Sequence, residues 1–213
     1  MKKLALLTLC LSLAACSPNG GSNFDVAASV SGAEIDVTIK RIYDKETKAF
    51  KGTDVNFVYK QPQVTFLTKA GSVGGTVTKA TVSVTDSSGN LYNDVNGKYT
   101  QSFVARILPG WACTTPEGAA DPSADPATCS FTDKVAVTRS QVFPDEASNA
   151  SVQLLIPSVG EQASDDCVEG PCPANLSLNI TFTVQDDLGN IHTISTNKSP
   201  VLVNRVSDTT VEE

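Results

Sequence analysis

The chain has 213 residues but only one histidine, one tryptophan and one methionine, and aromatic residues make up 6% of it. A lone histidine, His192, excludes histidine-rich copper and zinc centres and leaves a single candidate imidazole base. It follows the Gly189-Asn190 turn and is expected as an exposed strand residue. No Gly-x-Ser-x-Gly elbow surrounds a serine. The glycine cluster Gly71-Ser72-Val73-Gly74-Gly75 falls between two strand patterns, so it is not a phosphate loop opening a helix. Basic side chains are few, 16 against 23 acidic, for a formal charge of -7. Such a surface repels phosphate and argues against nucleic acid as a partner. The apolar run Leu4 to Ala15 is too short to cross a bilayer, and no later run approaches the length required. Sustained helical periodicity is absent as well.

What the chain does have begins at its start. Lys2 and Lys3 precede the apolar run, which closes on Leu13-Ala14-Ala15-Cys16. A charged start, a short apolar core and small residues at a cleavage point are the layout of a secretory signal. The Leu-Ala-Ala-Cys ending resembles the lipobox of bacterial lipoprotein precursors. That resemblance implies cleavage before Cys16, acyl chains on its thiol and new amino group, and loss of Cys10 with residues 1–15. Ser17, where the family carries Asp for inner-membrane retention, implies an outer-membrane destination, facing either the periplasm or the exterior. Residues 16–23 then form a lipidated tether, whose Gly, Ser, Asn and Pro content makes it a flexible coil reaching about 15 Å. Losing Lys2 and Lys3 leaves 14 basic against 23 acidic side chains, a formal charge of -9. Membrane contact is therefore expected through the lipid, with no other cofactor.

From Phe24 to about Asp208 nearly every apolar run alternates with period two. Ile35/Val37/Ile39, Val55/Phe57/Tyr59, Val64/Phe66, Ala80/Val82/Val84, Phe103/Ala105/Ile107, Val135/Val137, Val152/Leu154/Ile156, Leu176 through Val184 and Val201/Val203 all follow it. Side chains on a strand alternate between faces, so these read as half-buried antiparallel strands. About ten to twelve strands between turn signals predict an all-β fold, an antiparallel β-sandwich.

One internal echo aligns without a gap. Thr81-Val-Ser-Val-Thr-Asp-Ser-Ser-Gly-Asn-Leu91 matches Thr181-Phe-Thr-Val-Gln-Asp-Asp-Leu-Gly-Asn-Ile191. Each offers a strand, an Asp, a Gly-Asn turn and a second strand. This hairpin resembles one common in bacterial immunoglobulin-like domains, which implies an immunoglobulin-like sandwich. The expected arrangement is one enlarged domain over residues 24–208 with a flexible tail at 209–213. Two tandem domains, about 24–110 and 132–206, are the alternative.

Beyond Cys16 lie four cysteines, and an even number in an exported chain argues for disulfides. Cys113–Cys129 and Cys167–Cys172 are favoured, because each pair brackets a loop rich in Pro, Gly and Asp. Closing these loops restricts the unfolded chain by about 3 and 2 kcal/mol. Zinc fails on spacing, since no Cys-x-x-Cys occurs. The two loops, Pro109 to Asp133 and Pro157 to Ala174, are expected to lack secondary structure, and long loops of that kind are usually functional.

Candidate partner-binding residues lie on them: Trp111, Asp121, Asp125, Asp165, Asp166 and Glu169. Trp111 serves either as a binding anchor or as a cover over the end of the sandwich. The acids also admit calcium, although no Asp-x-Asp-x-Asp-Gly loop is present. The expectation is a non-catalytic outer-membrane lipoprotein, a structural or binding subunit of an envelope assembly whose partner is an outer-membrane or surface-layer protein. A calcium- or carbohydrate-binding module is the alternative.

Overall fold

The computed structural model describes residues 23–92, 98–115, 117–121, 126–143 and 153–213. The expected signal, Cys16 and Asp125 lie outside them, and so does Val152. The first half of the chain supplies β1 (Val26–Ser31), β2 (Ala33–Tyr43), β3 (Phe50–Lys60), β4 (Gln63–Thr68), β5 (Gly75–Thr85) and β6 (Lys98–Ile107). Three short strands follow, β7 (Trp111–Thr114), β8 (Ala120–Asp121) and β9 (Lys134–Ala136), with a 3-10 turn at Phe131–Asp133. Then come β10 (Arg139–Phe143), α1 (Pro157–Glu169), β11 (Leu176–Asp186), β12 (Ile191–Ser195) and β13 (Ser199–Glu212).

The all-β expectation holds, and so do both disulfides, Cys113–Cys129 and Cys167–Cys172. One layer is a seven-stranded sheet in the order β3-β2-β13-β11-β5-β6, with β12 also paired to β11. Strands from both halves of the chain interleave within it. β5 runs along one edge of β11; the other edge is shared, with β13 on the Leu176 half and β12 on the Asp186 half. Opposite lies the three-stranded sheet β1-β4-β10. Period-two burial joins the two layers: Phe66 of β4 meets Phe103 of β6 and Phe182 of β11 with ring centroids 6.5 and 5.1 Å apart. Phe143 of β10 closes the cluster at 5.8 Å from Phe66. Phe66, Phe103 and Phe182, with Val82, Val84, Ile180 and Val184, form the buried centre of the sandwich, and Phe143 packs against it.

The two echoed segments lie side by side. In the β5–β11 ladder Thr81 faces Thr181, with Ala80 opposite Phe182 and Val82 opposite Ile180. A local twofold axis therefore passes between the two threonines, and the echoed turns fall at opposite ends of the sheet.

Three expectations need correction. Pro157 to Glu169 is an α-helix, not an irregular loop. Its buried residues Val159, Gly160, Ala163, Ser164 and Cys167 form a narrow stripe of mostly small side chains that lies on β2 and β3. Pro157 starts it at a position where a missing N–H costs nothing, and Arg205 donates to the carbonyls of Cys167 and Gly170 at its end. Leu154 and Ile156, expected on a strand, instead precede this helix; Gln61 pins Leu155 through both its N–H (2.8 Å) and its C=O (2.9 Å). Finally, residues 209–212 are not a tail. β13 runs parallel to β2, the one parallel pair among the described residues, and Thr209–Glu212 match Lys40–Tyr43. With β3 they make an arm of exposed ion pairs, among them Lys48–Glu212 at 2.7 Å and Arg41–Asp208 at 3.0 Å.

Two predictions follow from the helix and the arm. A Cβ on Gly160 would overlap the Phe57 ring, reaching Cδ2 at 2.6 Å. Gly160→Ala is expected to destabilise the fold by about 1–3 kcal/mol through overpacking, read as a lowered Tm. At the arm tip, Asp44 accepts the Thr47 and Glu46 N–H groups and faces Lys51, which together hold its pKa down to about 2. A carboxylate depressed in the folded state stabilises above its unfolded pKa and loses that contribution as pH falls through the folded value. The β2–β3 tip should therefore loosen between about pH 4 and pH 2, seen as faster amide exchange at Glu46 and Thr47 that Asp44→Asn makes independent of pH.

Candidate functional site

The end of the sandwich bearing Asp186 carries a cleft of about 520 Å³. Its floor is Val73 and Gly74, the turn into β5, together with Leu108 and Pro109 after β6. Trp111 forms one wall; Pro126, Ala127, Phe131 and Lys134 form the other. The Arg106 and Asp187 side chains close one end as a bidentate ion pair, with Nη2 to Oδ2 at 2.9 Å.

Close backbone approach builds this floor. The Gly71 N–H donates to the Gly110 carbonyl at 2.8 Å and the Gly110 N–H to the Ser72 carbonyl at 2.9 Å. A Cβ on Gly110 would collide with the Lys69 carbonyl, so only glycine fits there. At Gly74 a Cβ would fall 2.8 Å from Asp187 Oδ2 and 2.7 Å from the Ile107 carbonyl, so a side chain would intrude on the ion pair. β10 then fixes the entry to the disulfide loop. Gln141 Oε1 accepts the Leu108 N–H at 2.7 Å, and the buried Arg139 guanidinium donates to the Trp111 carbonyl at 2.6 and 3.1 Å.

The loop that was expected to be irregular is a small sheet, β8-β7-β9, stapled by Cys113–Cys129. The staple ties β7, which bears Trp111, to the Pro126–Phe131 wall. Trp111 is half-buried, so it both covers the end of the sandwich and lines the cleft. Lys134 has no ion-pair partner among the described residues, whereas Phe131 is 81% exposed. The cleft can thus hold a flat apolar group against Trp111 and an acceptor or anion against Lys134.

Of the other candidates, Asp125 lies outside the described residues, and Asp121, Asp165, Asp166 and Glu169 do not line it. Asp121 sits on β8 opposite Cys113. Asp165, Asp166 and Glu169 lie on α1, toward the Leu176 end of β11, away from Trp111. Asp166 is engaged there, accepting from Tyr92 Oη at 2.5 Å and Gln162 Nε2 at 2.9 Å. That contact and burial push the Tyr92 hydroxyl pKa well above its ordinary value, with burial the larger cause. Among the described residues no three Asp, Glu, His or Cys side chains come together as a metal site.

His192 is not an exposed strand residue. Its Nε2 lies 2.8 Å from Asp186 Oδ2, and its ring stacks on Phe24 with centroids 4.3 Å apart. The Asp186 side chain is fully buried. Its Oδ1 accepts the N–H groups of Leu188 at 2.9 Å and Asn190 at 2.8 Å, while Gly189 adopts φ +90°. Asp86 makes the same turn with Ser88 and Asn90 around Gly89, but without a histidine.

No family model and no curated protein sequence matches this chain.

The matched turns supply an internal control. Asp186→Ala strands several buried donors and should cost about 3 kcal/mol, whereas Asp86→Ala at its partly exposed twin should cost about 1 kcal/mol. Chemical denaturation of the two variants measures both.

Proposed function

We propose that the protein is a lipid-anchored, non-catalytic subunit of an outer-membrane or surface-layer assembly, which grips its partner with the Trp111 cleft. The observation that carries this reading is the construction of the cleft: one tryptophan, a disulfide-stapled wall and a lysine with no ion-pair partner among the described residues converge on a volume large enough for a side-chain cluster. A tryptophan held in a preformed pocket gains binding energy without an ordering cost, which is how interface anchors work. The lipobox-like Leu13 to Cys16 segment supports the anchor, and the two cystines suit an oxidising compartment. Attachment to the membrane raises the local concentration of cleft and partner, so modest intrinsic affinity suffices.

A carbohydrate ligand is the second reading. It is favoured by the pairing of an aromatic wall with the Arg106–Asp187 pair and Lys134, since a sugar ring presents an apolar face and hydroxyl edges.

Crosslinking in intact cells, followed by mass spectrometry, would identify the partner. Trp111→Ala is expected to reduce its recovery at least tenfold and Lys134→Ala several-fold, while Asp165→Asn with Glu169→Gln on α1 leaves recovery unchanged. Undiminished recovery with Trp111→Ala refutes the cleft as the binding surface. Retention of the wild type, but not Trp111→Ala, on a glycan column would favour the sugar.

A further inference from the structure

We propose that the cleft-bearing end of the sandwich rests against the bilayer, with Phe131, Leu188 and Ile191 seated in the phospholipid headgroup layer. This rests on the lipid-anchored reading above and deepens it by naming the face that meets the membrane.

The place where the chain enters the body carries the inference. Asn23 is stitched to the cleft floor: its carbonyl accepts the Val73 N–H at 2.9 Å, and its Nδ2 donates to the Gly71 carbonyl at 3.0 Å. The Asp25 N–H donates to the buried Ser72 Oγ at 2.8 Å, and Phe24 stacks on His192 beside the Asp186 turn. A Cβ placed on Gly71 would stand 3.8 Å from Trp111 Cζ2 and 3.9 Å from Asn23 Nδ2. Tryptophan and entry strap are therefore separated by about the width of one residue.

Seven peptide links connect Cys16 to Asn23, which limits the anchor to about 25 Å from the strap at full extension. The opposite end is much farther off. β11 covers about 33 Å from Asp186 back to Leu176, and β13 continues away for about 35 Å more to Glu212. A tether this short holds the cleft end at the membrane and leaves the β2–β3–β13 arm pointing outward.

The surface at this end suits such a contact. Phe131 is 81% exposed at the cleft mouth, and Leu188 and Ile191 are 67% and 64% exposed on the hairpin that supplies Asp187. Charges beside the strap are paired, Lys69 with Asp25 at 2.8 Å and Arg106 with Asp187, and Lys134 adds a cation. Asp121 and Asp133 of the small sheet keep negative charge near this end, so the contact rests on the apolar side chains rather than on attraction to anionic headgroups. Val58, Leu202 and Val206 are also exposed, but they lie on β3 and β13, away from the strap. A partner reaching the cleft must then be presented at the bilayer surface.

Trp111 is the sole tryptophan, so its emission reports the cleft without background. The mature protein would be reconstituted into phosphatidylethanolamine–phosphatidylglycerol vesicles with or without acyl chains dibrominated near the glycerol. Bromine is expected to cut Trp111 emission about twofold. Combining Phe131→Ser, Leu188→Ser and Ile191→Ser should restore it while the protein still floats with the vesicles. Emission indifferent to bromine in protein that floats overturns this orientation and leaves the anchor standing. Protein that fails to float overturns the anchor, and the orientation falls with it. Emission shielded by a crosslinked second copy or another protein, with no bromine effect, also overturns the lipid contact.

Discussion

The molecule hangs on β11. Its residues alternate without a break between the aromatic interior and the outer face, and it gives one full edge to β5 while dividing the other between β13 and β12. Because side chains on a strand repeat every two residues, a slip by one position would turn Leu178, Ile180, Phe182 and Val184 outward together. Register is thereby set for three neighbours at once, and through β13 for β2 and β3 as well. The Phe66–Phe103–Phe182 cluster locks the opposing sheet to the same register.

The cleft is a product of that register. β11 ends in the turn of Asp186, whose buried carboxylate gathers backbone N–H groups and His192. The rigid turn brings Asp187 over Gly74 and across to Arg106, a residue 81 positions away in sequence. On the other side, two side chains of β10 hold Leu108 and Trp111 in place. The cleft is therefore lined by strand-end residues such as Arg106, Trp111 and Lys134 together with loop residues, all held in place by the strands of the sandwich.

Local signals were legible in the residues alone; convergence across the fold was not. Alternation exposed the long strands, the Asp-x-x-Gly-Asn echo exposed both turns, and the spacing of Cys113/Cys129 and Cys167/Cys172 exposed the pairings. Trp111 could be singled out because it is unique and sits two residues before a cystine. Arg106, Phe131, Lys134 and Asp187 could not, since only the sheet order brings them together. His192 looked exposed because its partner Asp186 carries no sign of burial in sequence: an identical turn at Asp86 stays partly in solvent. α1 was overlooked because its packing face consists of Val159, Gly160, Ala163, Ser164 and Cys167, too small to register as an apolar stripe. Pro157 and Gly170, at positions that suit a helix start and stop, were the available clue. The far end of β13 was missed for a related reason: Thr209 to Glu212 pairs through its backbone with β2 and buries little.

The order of synthesis gives β13 a further importance. It lies between β2 and β11, and among the described strands it follows all the others in the chain. Until it arrives, β2 and β3 have no lateral bond to the β11–β5–β6 ladder, and the large sheet exists as two unjoined parts. Contacts that span nearly the whole chain form late and slowly. Joining of the two parts thus waits on Ser199–Glu212, and β2 and β3 cannot lock onto the ladder before that segment is in place.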